Sequence, residues 1–191
     1  MYLPDTTRYD EIKREVLYMY EECKVCTYPI NCFEIANKLC YILVPYSQLT
    51  DQQLKLSKEY SPDGFSLLRK MPGTGMFRWY IFYNDNTCYE RQRWTILHEI
   101  GHIYLGHLEP DCQLSSAQKE AEANFFTKYS IAPPPLIYFT NCRCPMDVAK
   151  RFHVSRQASN YLFAYYQKWL HFGPRKYEQF EFTMIVRFLA T

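Results

Sequence analysis

Apolar and polar residues follow two different periods along this chain, and the order in which the periods change outlines a fold. Over residues 5–26, Ile12, Val16, Met19 and Cys23 recur at helical spacing among alternating charges, until Pro29 breaks the pattern. Residues 32–39 read as a second helix, 41–44 as a short strand bounded by Pro45, and 50–60 as a helix capped by Thr50 or Asp51. Residues 65–69 and 77–83 change to strand character and are joined through Pro72-Gly73-Thr74-Gly75, a hairpin-like connection. Residues 91–107 form one helical stretch. A further helix begins where Ser115 and Gln118 fit a capping box, and Pro133-Pro134-Pro135 ends it. A helix over 146–152, a turn at His153-Val154 and a helix from Ser155 to Leu170 follow, and 180–189 fits either a strand or a helix. This is α+β order, with a short sheet beside the helix of 91–107 and a helical C-terminal segment. If strand 77–83 lies at a sheet edge it can take an extended peptide by strand addition; a plain core strand fits its pattern equally well.

The stretch 91–107 carries the chemistry. His98-Glu99-Ile100-Gly101-His102 reads HExxH. Positions i and i+4 share one helix face, so two imidazoles can hold one Zn²⁺. Glu99, about 100° further round the helix, can reach an activated water as general base without being a ligand. Trp94, Gly101 and Leu105 fall near the histidine face, and Ile96, Ile100 and Ile103 fall opposite. A helix apolar on both sides is a buried one. On the same helical count His107 points away from His98 and reads as a helix-end or structural residue.

A catalytic zinc site needs a third protein ligand, and the following helix offers Glu120 and Glu122. These stand about 200° apart. Glu122 shares its side with Phe125, Phe126 and Tyr129, whereas Glu120 shares its side with Asn124, Thr127 and Lys128. Glu122 is thus expected in the core and Glu120 at water. Because a buried carboxylate is costly unless paired or metal-bound, Glu122 is the better ligand candidate. A pairing of Glu122 with Arg91 or Arg93 is the competing account.

These motifs resemble the ImmA/IrrE family of metallopeptidases: HEIGHIYLGH at 98–107, KEAEANFF at 119–126, then a proline. Upstream, Ile35-Ala36-Asn37-Lys38-Leu39, Asp63-Gly64-Phe65, Tyr83-Asn84 and Arg91-Gln92-Arg93-Trp94-Thr95 match the family's usual lead-in. Downstream, residues 148–158 are similar to its LAxxFxVSxxA segment. The resemblance implies a small zincin-like fold, zinc held by His98, His102 and Glu122, and Glu99 as general base. It also implies a regulatory protein as substrate, often a helix-turn-helix repressor of a phage or mobile element. Departures at Thr127, at Ser130-Ile131-Ala132 and at His153 bear on helix packing and substrate choice, not on the metal site.

Composition adds limits. A chain of 191 residues with 18 Tyr and 13 Phe suits one globular domain over 1–191. No apolar run spans a membrane, and the N-terminus lacks the regions of a signal peptide, so a cytoplasmic protein is expected. The eight cysteines are then expected to be reduced, mostly as small core residues. Cys23, Cys26, Cys32 and Cys40 fit no standard zinc ribbon.

Net charge is only +2, yet 141–176 carries seven basic residues (143, 150, 151, 156, 168, 175 and 176) against Asp147. The helix-turn-helix-like pattern there allows DNA binding. Tyr161, Leu162, Tyr165, Tyr166 and Trp169 favour instead a helical segment packed on the catalytic part, with its charges solvated. Three functions remain in view: a zinc endopeptidase, a regulator or toxin–antitoxin component acting by protein or DNA contact, and a zinc hydrolase acting on a small molecule. Nucleic acid is the less favoured partner, and no membrane partner is expected.

Overall fold

A computed structural model describes residues 6–172 and 178–189. Asp5, where the first expected helix starts, and Arg175 and Lys176 of the basic segment lie outside the described residues. In chain order the elements are α1 (Thr6–Glu22), α2 (Cys32–Lys38), β1 (Ile42–Pro45), a 3₁₀ turn (Tyr46–Gln48), α3 (Asp51–Tyr60), β2 (Gly64–Lys70) and β3 (Phe77–Tyr83). They continue with α4 (Tyr89–Tyr104), α5 (Ser116–Ile131), α6 (Pro134–Phe139), α7 (Pro145–Phe152), α8 (Arg156–Phe172) and α9 (Gln179–Leu189). No helix among the described residues is long and apolar enough to cross a membrane. The chain divides into two compact units, Asn31–Ala123 and Met1–Ile30 with Asn124–Thr191.

The first of these units is α+β. Its sheet has the order β1-β3-β2, with β1 parallel and β2 antiparallel to β3. The strand 77–83 is therefore central, and the edge position considered for it is taken by β1 and β2. Strand alternation is a local signal, whereas the parallel pairing of Ile42 with Tyr80 is made across the intervening α3 and β2. Caps set the helix starts. Thr50 closes a full capping box with Gln53, and Asn31 Oδ1 accepts from the Phe33 and Glu34 amides.

Helix α4 packs on β2, β3 and α2. Ile96, Leu97 and Ile100 are fully buried, as expected of a helix apolar on both sides. At Gly64 a Cβ would stand 2.5 Å from Thr95 Cγ2 and 2.7 Å from the Phe82 carbonyl oxygen, so only glycine lets β2 lie this close to α4. Arg91 clamps the same corner, donating from Nε and Nη2 to the two oxygens of Asp63 at 2.8 and 2.7 Å.

The second unit is helical among its described residues. The Tyr20 hydroxyl on α1 donates to the Ser130 carbonyl on α5. Helix α7 packs on α8, with His153 in the left-handed region (φ 50°) at the turn and Ser155 Oγ accepting from the Ala158 amide. Leu162 and Tyr166 of α8 are buried, while Arg143, Lys150, Arg151, Arg156 and Lys168 are exposed. The segment 180–189, open between strand and helix on sequence, is helical as α9. None of the eight cysteines is in a disulfide, and Cys23, Cys32 and Cys142 are buried.

Candidate metal centre

Helix α4 brings His98 and His102 one turn apart with their rings 4.7 Å apart, and their Nε2 atoms approach to 3.0 Å. Glu120 of α5 completes the group. Its Oε2 lies 3.3 Å from His98 Nε2 and its Oε1 3.2 Å from His102 Nε2. These are the three residues among those described that could share a metal ion. Donors about 2.0–2.1 Å from a common ion in tetrahedral array lie roughly 3.3 Å from one another. The observed spacings are close to that edge, and a His-His-carboxylate set suits zinc.

The structure thus brings Glu120 to the two histidines, and not Glu122, the carboxylate favoured on sequence. The burial argument placed both side chains properly: Glu122 is 1% exposed and the Glu120 side chain 55%. Burial alone does not bring Glu122 to the histidine pair. A catalytic metal keeps one side open, so a carboxylate bordering that side stays partly in water. Glu122 instead meets His107, with Oε2 3.2 Å from Nε2, and Arg91 is engaged with Asp63 rather than Glu122.

His107 stands just past the helix end, in keeping with the helix-end or structural reading, but it is not turned away from the histidine pair, because the helix stops at Tyr104. Helix α4 stops at Tyr104 in a Schellman turn: the Gly106 amide donates to Ile103 O at 3.1 Å and the His107 amide to His102 O at 2.9 Å. Gly106 takes φ +68°, which folds the chain back over the last turn. His107 becomes fully buried, with Nδ1 3.1 Å from Nδ1 of His102. Lys119 Nζ holds the turn by donating to the His107 carbonyl at 2.6 Å.

Glu99 is 8% exposed and accepts a 2.7 Å hydrogen bond on Oε2 from Ser66 Oγ of β2. Burial raises its pKa above the ordinary carboxylate value, while the Ser66 hydroxyl and His98 pull it down. Burial, reinforced by the neighbouring His98, lowers His102 to about 4, which keeps its imidazole neutral as ligation requires. The neighbouring His98 leads the causes that hold Glu120 below its usual value, and burial opposes it.

Ser66 escaped the sequence reading. Its one signal was a small polar residue at an inward position of β2, where Gly64 and Ser66 are the buried members of the alternation.

A family model, the IrrE N-terminal-like domain (Peptidase_M78), matches residues 42–162. No curated protein matches the chain.

Proposed function

Because the chain belongs to the Peptidase_M78 family of IrrE N-terminal-like domains, we propose that it is a zinc-dependent endopeptidase with His98, His102 and Glu120 as ligands and Glu99 as general base. The observation that carries this reading is the convergence of three donors at 3.0–3.3 Å beside a buried carboxylate. A zinc ion in that set supplies Lewis acidity, polarising a carbonyl and lowering the pKa of water.

The remaining work falls to side chains. Ser66 holds one oxygen of Glu99, which leaves the other to take a proton from water and pass it to the departing amine. A carboxylate raised by burial is better matched to that exchange than an exposed one. Among the described residues, strand β2 pairs only with β3, so its other edge is open to an extended peptide lying beside Glu99.

The substrate in this reading is a regulatory protein, a helix-turn-helix repressor of a phage or mobile element, on the strength of the family resemblance. Glu99→Gln tests the mechanism on a purified repressor encoded beside the gene. Cleavage should fall by roughly 10²–10⁴-fold while about one zinc per chain stays bound. Wild-type turnover by the variant would refute the assignment of Glu99.

A further inference from the structure

We propose that Glu122 and His107 are positioning residues that fix the tautomer and ring plane of His102, presenting its Nε2 lone pair to the metal. The inference rests on the zinc reading of the site. It assigns a role to two deeply buried polar groups beside the site, neither of which the proposed mechanism uses.

The three side chains form a line. Glu122 Oε2 lies 3.2 Å from His107 Nε2, and His107 Nδ1 lies 3.1 Å from His102 Nδ1. At the far end of the line, His102 Nε2 faces Glu120 Oε1 at 3.2 Å and His98 Nε2 at 3.0 Å. Glu122 is 1% exposed, His107 0% and His102 8%, so water competes little for these contacts.

Valence then orders the protons. An ionised carboxylate can only accept, so His107 must carry its proton on Nε2. A metal on His102 Nε2 leaves the one proton of that neutral imidazole on Nδ1, so His107 Nδ1 accepts it and His107 is neutral, with its own proton on Nε2. In this order His102 Nε2 is bare. It points at the Glu120 carboxylate and at His98 Nε2, an arrangement of converging lone pairs that a cation satisfies. The opposite order would set a bare His107 Nε2 against the Glu122 carboxylate and place a proton on His102 Nε2, where the metal must bind.

Backbone geometry supports the same line. The left-handed Gly106 turn returns the chain, and the His107 amide bonds the His102 carbonyl while the two rings meet. Carboxylate–histidine partners of this kind raise ligand basicity and hold ring orientation, and losing one lowers metal affinity by roughly 10–100-fold.

The test is competition for Zn²⁺ between the folded protein and a chromogenic chelator. Wild type is compared with Glu122→Met, Glu122→Gln, His107→Gln, the Glu122→Met/His107→Gln pair and Glu120→Ala. Glu122→Met and His107→Gln should each weaken zinc by roughly 10–100-fold. Glu122→Gln, whose amide oxygen still accepts the Nε2 proton, should recover part of the loss. The pair should bind about as weakly as His107→Gln alone, because Glu122 reaches His102 through His107.

A purely structural role would lower the melting temperature and leave the zinc affinity of the folded fraction unchanged, and that outcome overturns the proposal. If those variants keep wild-type affinity while Glu120→Ala loses zinc, the positioning pair is refuted and the metal site stands. If wild type takes up no zinc, both readings fall. Should Glu122→Met fail to fold, long-range ¹H–¹⁵N NMR of zinc-loaded wild type decides: a proton on His107 Nε2 supports the line, and one on Nδ1 overturns it.

Discussion

Each compact unit buries a glutamate almost completely, and the two are used differently. Glu122 of the α+β unit is 1% exposed and Glu181 of the helical unit 2%. Glu181 accepts from the Trp169 indole at 2.9 Å and from the Glu178 amide at 3.3 Å, N–H groups that donate and cannot pass on an acceptor site. Burial raises its pKa, with Trp169 as the main opposing influence. Glu122 meets a histidine that touches a second histidine, and the second faces the candidate metal centre. A buried carboxylate therefore carries no functional meaning by itself; its partner's remaining valence decides what it does. The half-exposed Glu120 is the carboxylate that reaches both His98 and His102.

The largest effect that would sharpen this contrast is on zinc. Glu120→Ala should lose more affinity than the roughly 10–100-fold expected of an outer partner, whereas Glu181→Gln should leave zinc content unchanged and alter only the melting temperature. Equal zinc loss in both variants, measured by metal analysis of purified protein, would erase the distinction between the units.

A middle-sized effect is expected at Gly64, where strand and helix of the α+β unit approach. Gly64→Ala adds a carbon within 2.7 Å of a backbone carbonyl oxygen and should cost about 1–3 kcal/mol in urea unfolding. It should also slow turnover by shifting Ser66, two residues along β2, away from Glu99. Unchanged stability would show that β2 yields more easily than its packing implies.

The smallest effect lies in the helical unit. Burial, with Lys168 nearby, lowers Lys128 to about 8, and the Tyr165 and Phe125 rings at 4.1 and 4.9 Å partly offset the cost of its charge. Between about 8 and the ordinary lysine value the unfolded chain binds more protons than the folded one. Stability should therefore rise with pH across that window, the penalty being fully present below it. Lys128→Met should flatten the rise in thermal melts from neutral to alkaline pH. A curve identical to wild type would assign the rise to other groups.

Much of this protein was determined by local sequence. The period of 3.6 gave α4 its buried circumference, Thr50 and Ser115 marked helix starts, and HExxH set two imidazoles one turn apart. These features need only neighbours a few residues away. Tertiary structure decided the rest. The central place of β3 comes from a strand pairing made across other elements. Residues 91–107 read as one helical stretch on sequence, whereas the turn at Leu105-Gly106-His107 closes the helix early and drops His107 onto His102. The choice between Glu120 and Glu122 depended on which side of His102 each carboxylate reaches. Both lie on α5, and no helical count contains the position of α4 beside it. Burial could be read from the pattern of Phe125, Phe126 and Tyr129; what the buried group would meet could not, because that partner enters from a separate turn of the chain.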